Sequence, residues 1–247
     1  MTPPIVSQAE EEYLETFFWF FEHGRKTVKT NQIAEMMGVN PSTVTYMLKK
    51  LSHKGLIEYH RYYGASLTSS GYSIALSVVR KHRLAECFLY WLGISWSRIH
   101  NEACKWEHIL TEEIMEKIEE KITIPHRTPY GAFLPSKDGH VKKIPDKQPL
   151  AFFEENDRVE IVEVLERVIK REQMPPLSLE QVFQILEAKG LVPGKILFII
   201  RKTLRSNIKT EEWSHLYSYD LTIRDENHNL VEIPYYLVNM LLARKLN

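Results

Sequence analysis

Residues 97–118 read SRIHNEACKWEHILTEEIMEKI and place His100, Cys104, Glu107 and His108 at i, i+4, i+7 and i+8. At roughly 100° per residue the four fall within about 100° of one helix face. That face offers imidazole, thiolate, carboxylate and imidazole, all metal-ligand types. A polar helix face with one buried cysteine has the same spacing. In GYSIALSVVRKHRLAECFLYWL (71–92), His82 and Glu86 stand i, i+4 and share a face. Alone, that pair fits a helix-surface contact as well as a ligand pair. Glu12 and Glu15, i, i+3 on an acidic first helix, fit a solvated face or favourable charge near a helix N-terminus as well as ligands. Together these groups exceed the needs of a tetrahedral structural zinc. Mixed with carboxylates, they suit six-coordinate Fe2+ or Mn2+, or two neighbouring sites.

A second chemistry lies upstream. Residues 23–66 hold seven Lys/Arg against two Glu, a net of +5. Within them, TNQIAEMMGVNPSTVTYMLKKLSHKG (30–55) spaces its apolar residues for two short helices joined at Gly38. Asn40 or Ser42 can cap the second helix, and Pro41 suits its first turn. This is a helix-turn-helix pattern. LIEYHRYYGASLTSSG (56–71) alternates, turns at Gly64 and reads as a two-stranded wing. Ser42, Thr43, Thr45 and Tyr46 are suited to base edges, while Lys49, Lys50, Lys54 and Arg61 can neutralise phosphates. The expected partner is a double-stranded DNA operator.

These elements need a frame. The 247 residues allow one large domain or two ordinary ones, and a 44% hydrophobic content supports a real core. A zero net charge, 32 Lys+Arg against 32 Asp+Glu, excludes a uniformly basic nucleic-acid coat but not a segregated one. Glu10, Glu11, Glu12, Glu15 and Glu22 precede the basic segment and carry part of the compensating charge. Two cysteines build no disulfide framework, and Cys87, among Phe88, Leu89 and Trp91, reads as a core residue. No apolar run nears the roughly 18 residues of a membrane span, and the N-terminal residues lack a signal-peptide pattern. A cytoplasmic protein without membrane association is expected. Residues 125–151 have the composition of a proline-rich linker. VEIVEVL (159–165), KILFIIRK (195–202) and DLTIRD (220–225) read as strands.

EEYLETFFWF (11–20), the helix-turn-helix, LTSSGYSIALSVVRKHRLAE (67–86) and IHNEACKWEH (99–108) resemble the diphtheria-toxin-repressor family of metal-dependent transcriptional regulators, the DtxR/MntR group. The resemblance covers about residues 8–124 well and the C-terminal part loosely. It implies a mainly α chain with small β parts. Its domains would be a winged helix-turn-helix (1–70), a helical metal-binding and dimerisation domain (71–124), and, past the linker, a small β-barrel of the FeoA type (152–247). A primary site of Glu12, Cys104, Glu107 and His108 is implied, with an ancillary site of His82, Glu86 and His100. Glu15 matches a second acidic position of the manganese-responsive members. Iron-responsive members usually have Met where Glu12 stands, and manganese-responsive members often lack the cysteine, so this chain combines features of both. The soft thiolate tips the expected cofactor to Fe2+ over Mn2+.

The function implied is a homodimeric, metal-dependent repressor of metal-homeostasis genes. A metalloenzyme would use the same ligands with an open coordination position, but no HExxH, nucleophile triad or Gly-rich phosphate loop occurs, so no enzyme is expected. The remaining alternative is a metal-independent winged-helix regulator with a structural metal.

Overall fold

The computed structural model describes residues 6–123, 125–137, 146–167, 175–204 and 219–246. The chain divides into two compact units. The first is Met1–Ala85 with Ala103–Lys121 and Pro135–Val141; the second is Glu86–Glu102 with Ile122–Leu134 and Lys142–Asn247.

In the first unit, α1 (Gln8–Glu22) is a strongly aromatic helix. Its inward residues Leu14, Phe17, Phe18 and Phe20 join Ile33, Val44, Leu48, Leu51 and Leu56 in one core. That core holds α2 (Thr30–Met37) against α3 (Pro41–His53). Gly38 ends α2 at φ 66°, in the left-handed region that glycine adopts without a Cβ clash. Asn40 occupies the cap position of α3 and Pro41 its first turn, but no side-chain cap bond forms. The wing follows as β1 (Ile57–His60) and β2 (Gly64–Leu67), antiparallel with His60 opposite Gly64. Val28 bridges to Ala65 and adds the segment before α2 to the wing's edge. Gly71, at the start of α4 (Ser69–Trp91), lies so close to the wing's base that a Cβ would sit 1.9 Å from the Leu56 carbonyl oxygen. The unit also contains the end of α5 (Trp96–Trp106) and α6 (Glu112–Lys121). The division between units thus falls inside α4 and inside α5.

The second unit centres on a six-stranded sheet in the order β3-β8-β4-β5-β6-β7, every pairing antiparallel. Its strands are β3 (Gln148–Pro149), β4 (Arg158–Val164), β5 (Ile196–Leu204), β6 (Tyr219–Asp225), β7 (Leu230–Ile233) and β8 (Leu241–Lys245). The three β-branched runs picked out in the sequence become β4, β5 and β6. Alternation buries Val159, Ile161, Leu197, Ile199, Leu221 and Ile223 on one face. Helix α7 (Leu179–Ala188) precedes β5, and the short α8 (Tyr235–Val238) joins β7 to β8. Among the described residues β3 and β7 remain edges, so the sheet is open where a closed barrel was expected. Bulges at Ile161/Glu163 and Ile199/Arg201 twist it without joining those edges.

Residues 138–145 of the proline-rich stretch lie outside the described residues, but its earlier part is packed. Tyr130 is fully buried, and its hydroxyl donates to the Trp96 carbonyl at 2.6 Å. Its carbonyl accepts from the Val164 N–H at 2.8 Å. Gly131, at φ 93°, approaches the strand so closely that a Cβ would stand 2.1 Å from the Val162 oxygen. Residues 168–174 and 205–218 also lie outside the described residues.

Candidate metal centre and DNA-reading surface

Two helices of the first unit and the turn that follows α5 bring acids and histidines together. Glu15 of α1, His82 of α4 and Glu107, just past α5, offer ligand atoms all within 4.8 Å of one another. All three side chains are buried. Glu107 is hydrogen-bonded to His82 Nδ1, and its other oxygen lies 3.1 Å from His108 Nε2. His108 Nδ1 lies 2.9 Å from Glu11 Oε2. Burial pushes the Glu107 carboxyl above its ordinary range; the Glu15 charge adds to this, and His82 and His108 oppose it. Two carboxylates buried side by side repel unless a proton or a cation lies with them. The donor set, carboxylate and imidazole, therefore fits a hard-to-borderline divalent cation such as Mn2+ or Fe2+.

Of the four residues implied for the primary site, Glu107 lies in this trio and His108 beside it; Cys104 offers its Sγ within 4.8 Å of a His82 nitrogen, and His82, implied for the ancillary site, joins the trio with Glu15. Among the described residues Glu12 enters no group of metal-compatible donors, whereas Glu11 meets His108. The spacing contained that signal. Glu11, Glu15 and Glu22 stand i, i+4 and i+11, a tighter stripe than Glu12 and Glu15. Glu22 closes the stripe with a two-pronged ion pair to Arg83, at 2.9 and 2.6 Å. Cys104 is partly buried on α5 in the same unit.

The second unit has its own cluster. His100 Nδ1 lies 3.7 Å from Glu86 Oε1 and 3.8 Å from Glu166 Oε2. Glu86 is completely buried. The His100 backbone N–H donates to the Tyr130 hydroxyl at 3.1 Å, and the imidazole meets the Phe183 ring edge-on. Glu166 follows β4, and no periodicity marks it in the sequence. Glu180 and Gln181, the acid–amide pair that the sequence offers nearby, are engaged elsewhere. Glu180 accepts from Asn101 Nδ2, and the Gln181 side-chain oxygen accepts from the Ser178 N–H.

On the reading head, Ser42, Thr43, Tyr46 and Lys49 are exposed along α3. The Thr45 hydroxyl donates to the Pro41 carbonyl at 2.9 Å, so its polar atom turns to the backbone. Lys50 and Lys54, expected to meet phosphates, also have a partner within the chain. Both pair with the fully buried Glu10, at 3.4 and 2.7 Å. At the wing tip Arg61 is exposed and stands over the Tyr62 ring, 5.0 Å from its centroid. Tyr62 and Tyr63 are 84% and 79% exposed, and Tyr62 adopts φ 74°. Left-handed backbone at a bulky residue costs energy and marks a position to examine for function. Both tyrosines lie in the tip between β1 and β2, just ahead of Gly64, where the sequence places the turn.

A winged helix-turn-helix followed by helices bearing buried acids and imidazoles defines the class: a DNA-binding regulator with a metal-binding helical region. Residues 6–65 match the model of the iron-dependent repressor N-terminal DNA-binding domain. Residues 68–136 match that of the iron-dependent repressor metal-binding and dimerisation domain. An uncharacterized HTH-type transcriptional regulator of Methanocaldococcus jannaschii is 36% identical over 115 residues, 46% of this chain and 92% of that protein. The diphtheria toxin repressor of Corynebacterium jeikeium is 26% identical over 203 residues, covering 77% of this chain and 84% of its own length. A solved manganese-dependent transcriptional repressor in complex with manganese superposes with a TM-score of 0.74 at 24% identity, over 96% of this chain and 100% of its own; at that identity the likeness shows the fold. The chain belongs to the iron-dependent repressor family, the diphtheria-toxin-repressor group.

Proposed function

We propose that this chain is a homodimeric, metal-dependent repressor that binds double-stranded operator DNA and answers to Fe2+ or Mn2+. The observation that carries the reading is the buried trio Glu15, His82 and Glu107, assembled from two helices and the turn past α5 next to a basic winged head. A bound divalent cation supplies the positive charge that lets two buried carboxylates lie together deprotonated. Glu15 belongs to α1, which packs into the core of the reading head, while His82 and Glu107 belong to the helical region. Holding these side chains in one cluster restrains α1 against α4 and α5. Glu11 and His108 extend the set. Glu12 and Cys104, on the same helices, are the remaining donors implied by family membership. Glu86, His100 and Glu166 form the second site. The carboxylate-and-imidazole trio lessens the weight of the thiolate, so Mn2+ stands level with Fe2+.

Ser42, Thr43 and Tyr46 read bases, and Lys49 and Arg61 contact phosphates. Dimerisation is supported by the apolar run Tyr90, Trp91 and Leu92 at the end of α4, each half or more exposed. A dimer presents two recognition helices about 34 Å apart, one DNA turn. The family is one of DNA-binding repressors, and no helix among the described residues is long and apolar enough to cross a membrane.

The test is operator affinity across a buffered series of Fe2+ (anaerobic) and Mn2+. Affinity is expected to rise by about 5–150-fold on metal loading. Equal affinity in chelated and loaded buffer rejects the switch and favours a metal-independent regulator. Retained metal response in a Glu12→Ala/Cys104→Ala variant removes those two residues from the ligand set.

A further inference from the structure

Four acidic residues of α1 divide the helix by task. Glu11 and Glu15 face the histidine cluster, and Glu22 grips Arg83 of α4. Glu10 turns the other way. It is fully buried, and its Oε2 accepts from Lys54 Nζ at 2.9 Å and from the Ser7 N–H at 2.7 Å. Its Oε1 lies 2.7 Å from Lys54 and 3.4 Å from Lys50. Lys50 is in the last turn of α3, and Lys54 is its C-terminal cap residue. The recognition helix is therefore tied at its C-terminal end to the first turn of α1, one residue from Glu11 and five from Glu15.

We infer that the Glu10–Lys54/Lys50 ion pair is the mechanical link through which the metal cluster sets the recognition helix, with Glu10 a positioning residue that touches neither metal nor DNA. A buried carboxylate held by two lysines and a backbone N–H has little freedom to swing. Any displacement of α1 that follows from gathering Glu11 and Glu15 at the cluster is passed to the end of α3. In the core the two helices share apolar residues such as Phe17, Phe18, Val44 and Leu48, and the charge-assisted pair adds a directional tie to that packing. The inference rests on the repressor reading above, and it adds the route by which that switch reaches DNA.

The experiment uses the full chain and compares operator affinity in chelated and Mn2+-loaded buffer. Glu10→Gln keeps an acceptor for the Ser7 N–H, since glutamine serves at this capping position as glutamate does, but removes the charge that holds the lysines. The ratio of loaded to chelated affinity is expected to fall about tenfold, while Mn2+ affinity measured without DNA stays within about twofold of wild type. The double variant Lys50→Gln/Lys54→Gln breaks the link from the other side. It lowers affinity in both buffers if either lysine also meets phosphate, but direct phosphate contacts cancel in the ratio, which is again expected to collapse. An unchanged ratio in both variants overturns the link. So does a Glu10→Gln protein whose chelated affinity rises to the loaded value of wild type, because Glu10 would then merely withhold two lysines from DNA. Wild-type protein indifferent to metal would instead reject the repressor reading itself.

Discussion

In the first unit Glu15 and His82 come from α1 and α4, and Glu107 from the turn just past α5. In the second, Glu86 and His100 come from helices, but Glu166 comes from the segment after β4. The first set packs a buried imidazole between two acids, with His108 and Glu11 extending it. The second leaves His100 nearly 4 Å from either acid and steadies it through Tyr130 and Phe183. The first cluster contains Glu15 of α1, a helix whose apolar residues pack in the core of the reading head. The second gathers Glu86 and the Glu166 that follows β4 around His100. The switch should therefore depend on the first cluster and be tuned by the second.

The sharpest way to break that ranking is to neutralise one acid in each. Glu107→Gln or Glu15→Gln should abolish the metal-dependent gain, lowering loaded operator affinity by up to about 100-fold while chelated affinity is unchanged. Glu86→Gln or Glu166→Gln should cost about tenfold or less in metal affinity and leave a maximal response at saturating metal. Fluorescence-anisotropy titrations of labelled operator at fixed free metal read both. A larger loss from the second pair than from the first would invert the assignment.

Protons give a second view of the same contrast. Burial and the Glu15 charge raise the Glu107 pKa, so a cation entering the cluster competes with a proton there over a higher pH range than at an ordinary carboxylate. Metal binding at the first cluster should release protons, and its affinity should fall as pH drops. Calorimetric Mn2+ titrations in buffers of different ionisation enthalpy measure that release. Glu107→Gln should reduce it.

The contrast between the clusters also explains what was legible in the sequence. Candidate donors on helices recur at i+4 and i+7, so His82, Glu86, His100, Glu107 and His108 stood out, and the helix-turn-helix declared itself through Gly38 and Pro41. Glu166 follows a strand in a segment with no period, so only the folded chain brings it to His100. Glu10 was hidden for another reason. In a run of three glutamates, composition shows charge but not direction, and only tertiary packing turned Glu10 towards α3 and Glu11 towards His108. The proline-rich stretch looked like a linker because composition reports chain stiffness, not burial, and Tyr130 took the buried place. The barrel expectation came from family likeness, and strand patterning cannot tell an open sheet from a closed one, since both alternate inward and outward residues.

A smaller effect separates reading from switching. Tyr62→Ala/Tyr63→Ala removes the exposed wing-tip rings and leaves the metal clusters intact. Operator affinity should fall by about 5–30-fold, about 1–2 kcal/mol, equally in chelated and loaded buffer, so the metal ratio is preserved. A change in that ratio would place the wing within the switch.

The smallest expected effect concerns stability and isolates Glu10 from DNA altogether. Burial pushes the Glu10 carboxyl up, but the hydrogen bonds from Lys54 and the Ser7 N–H, with the Lys54 charge, outweigh it and hold the group at about 2, against an ordinary 4.5. A carboxyl depressed on folding stabilises the native state above its unfolded pKa and loses that contribution as pH falls through the folded one. The window here runs from about 4.5 down to about 2. Lys54 and Lys50 remain partly open to water, which screens the pair, so the contribution is at most about 2 kcal/mol. In metal-chelated buffer, urea unfolding of wild type between pH 5 and pH 3 should therefore show a steeper loss of stability than that of Glu10→Gln. The two curves should converge in acid, because protonation makes the wild-type residue as neutral as the glutamine that replaces it. Parallel curves across that range would mean that the ion pair contributes no net stability and acts only by fixing where α3 sits.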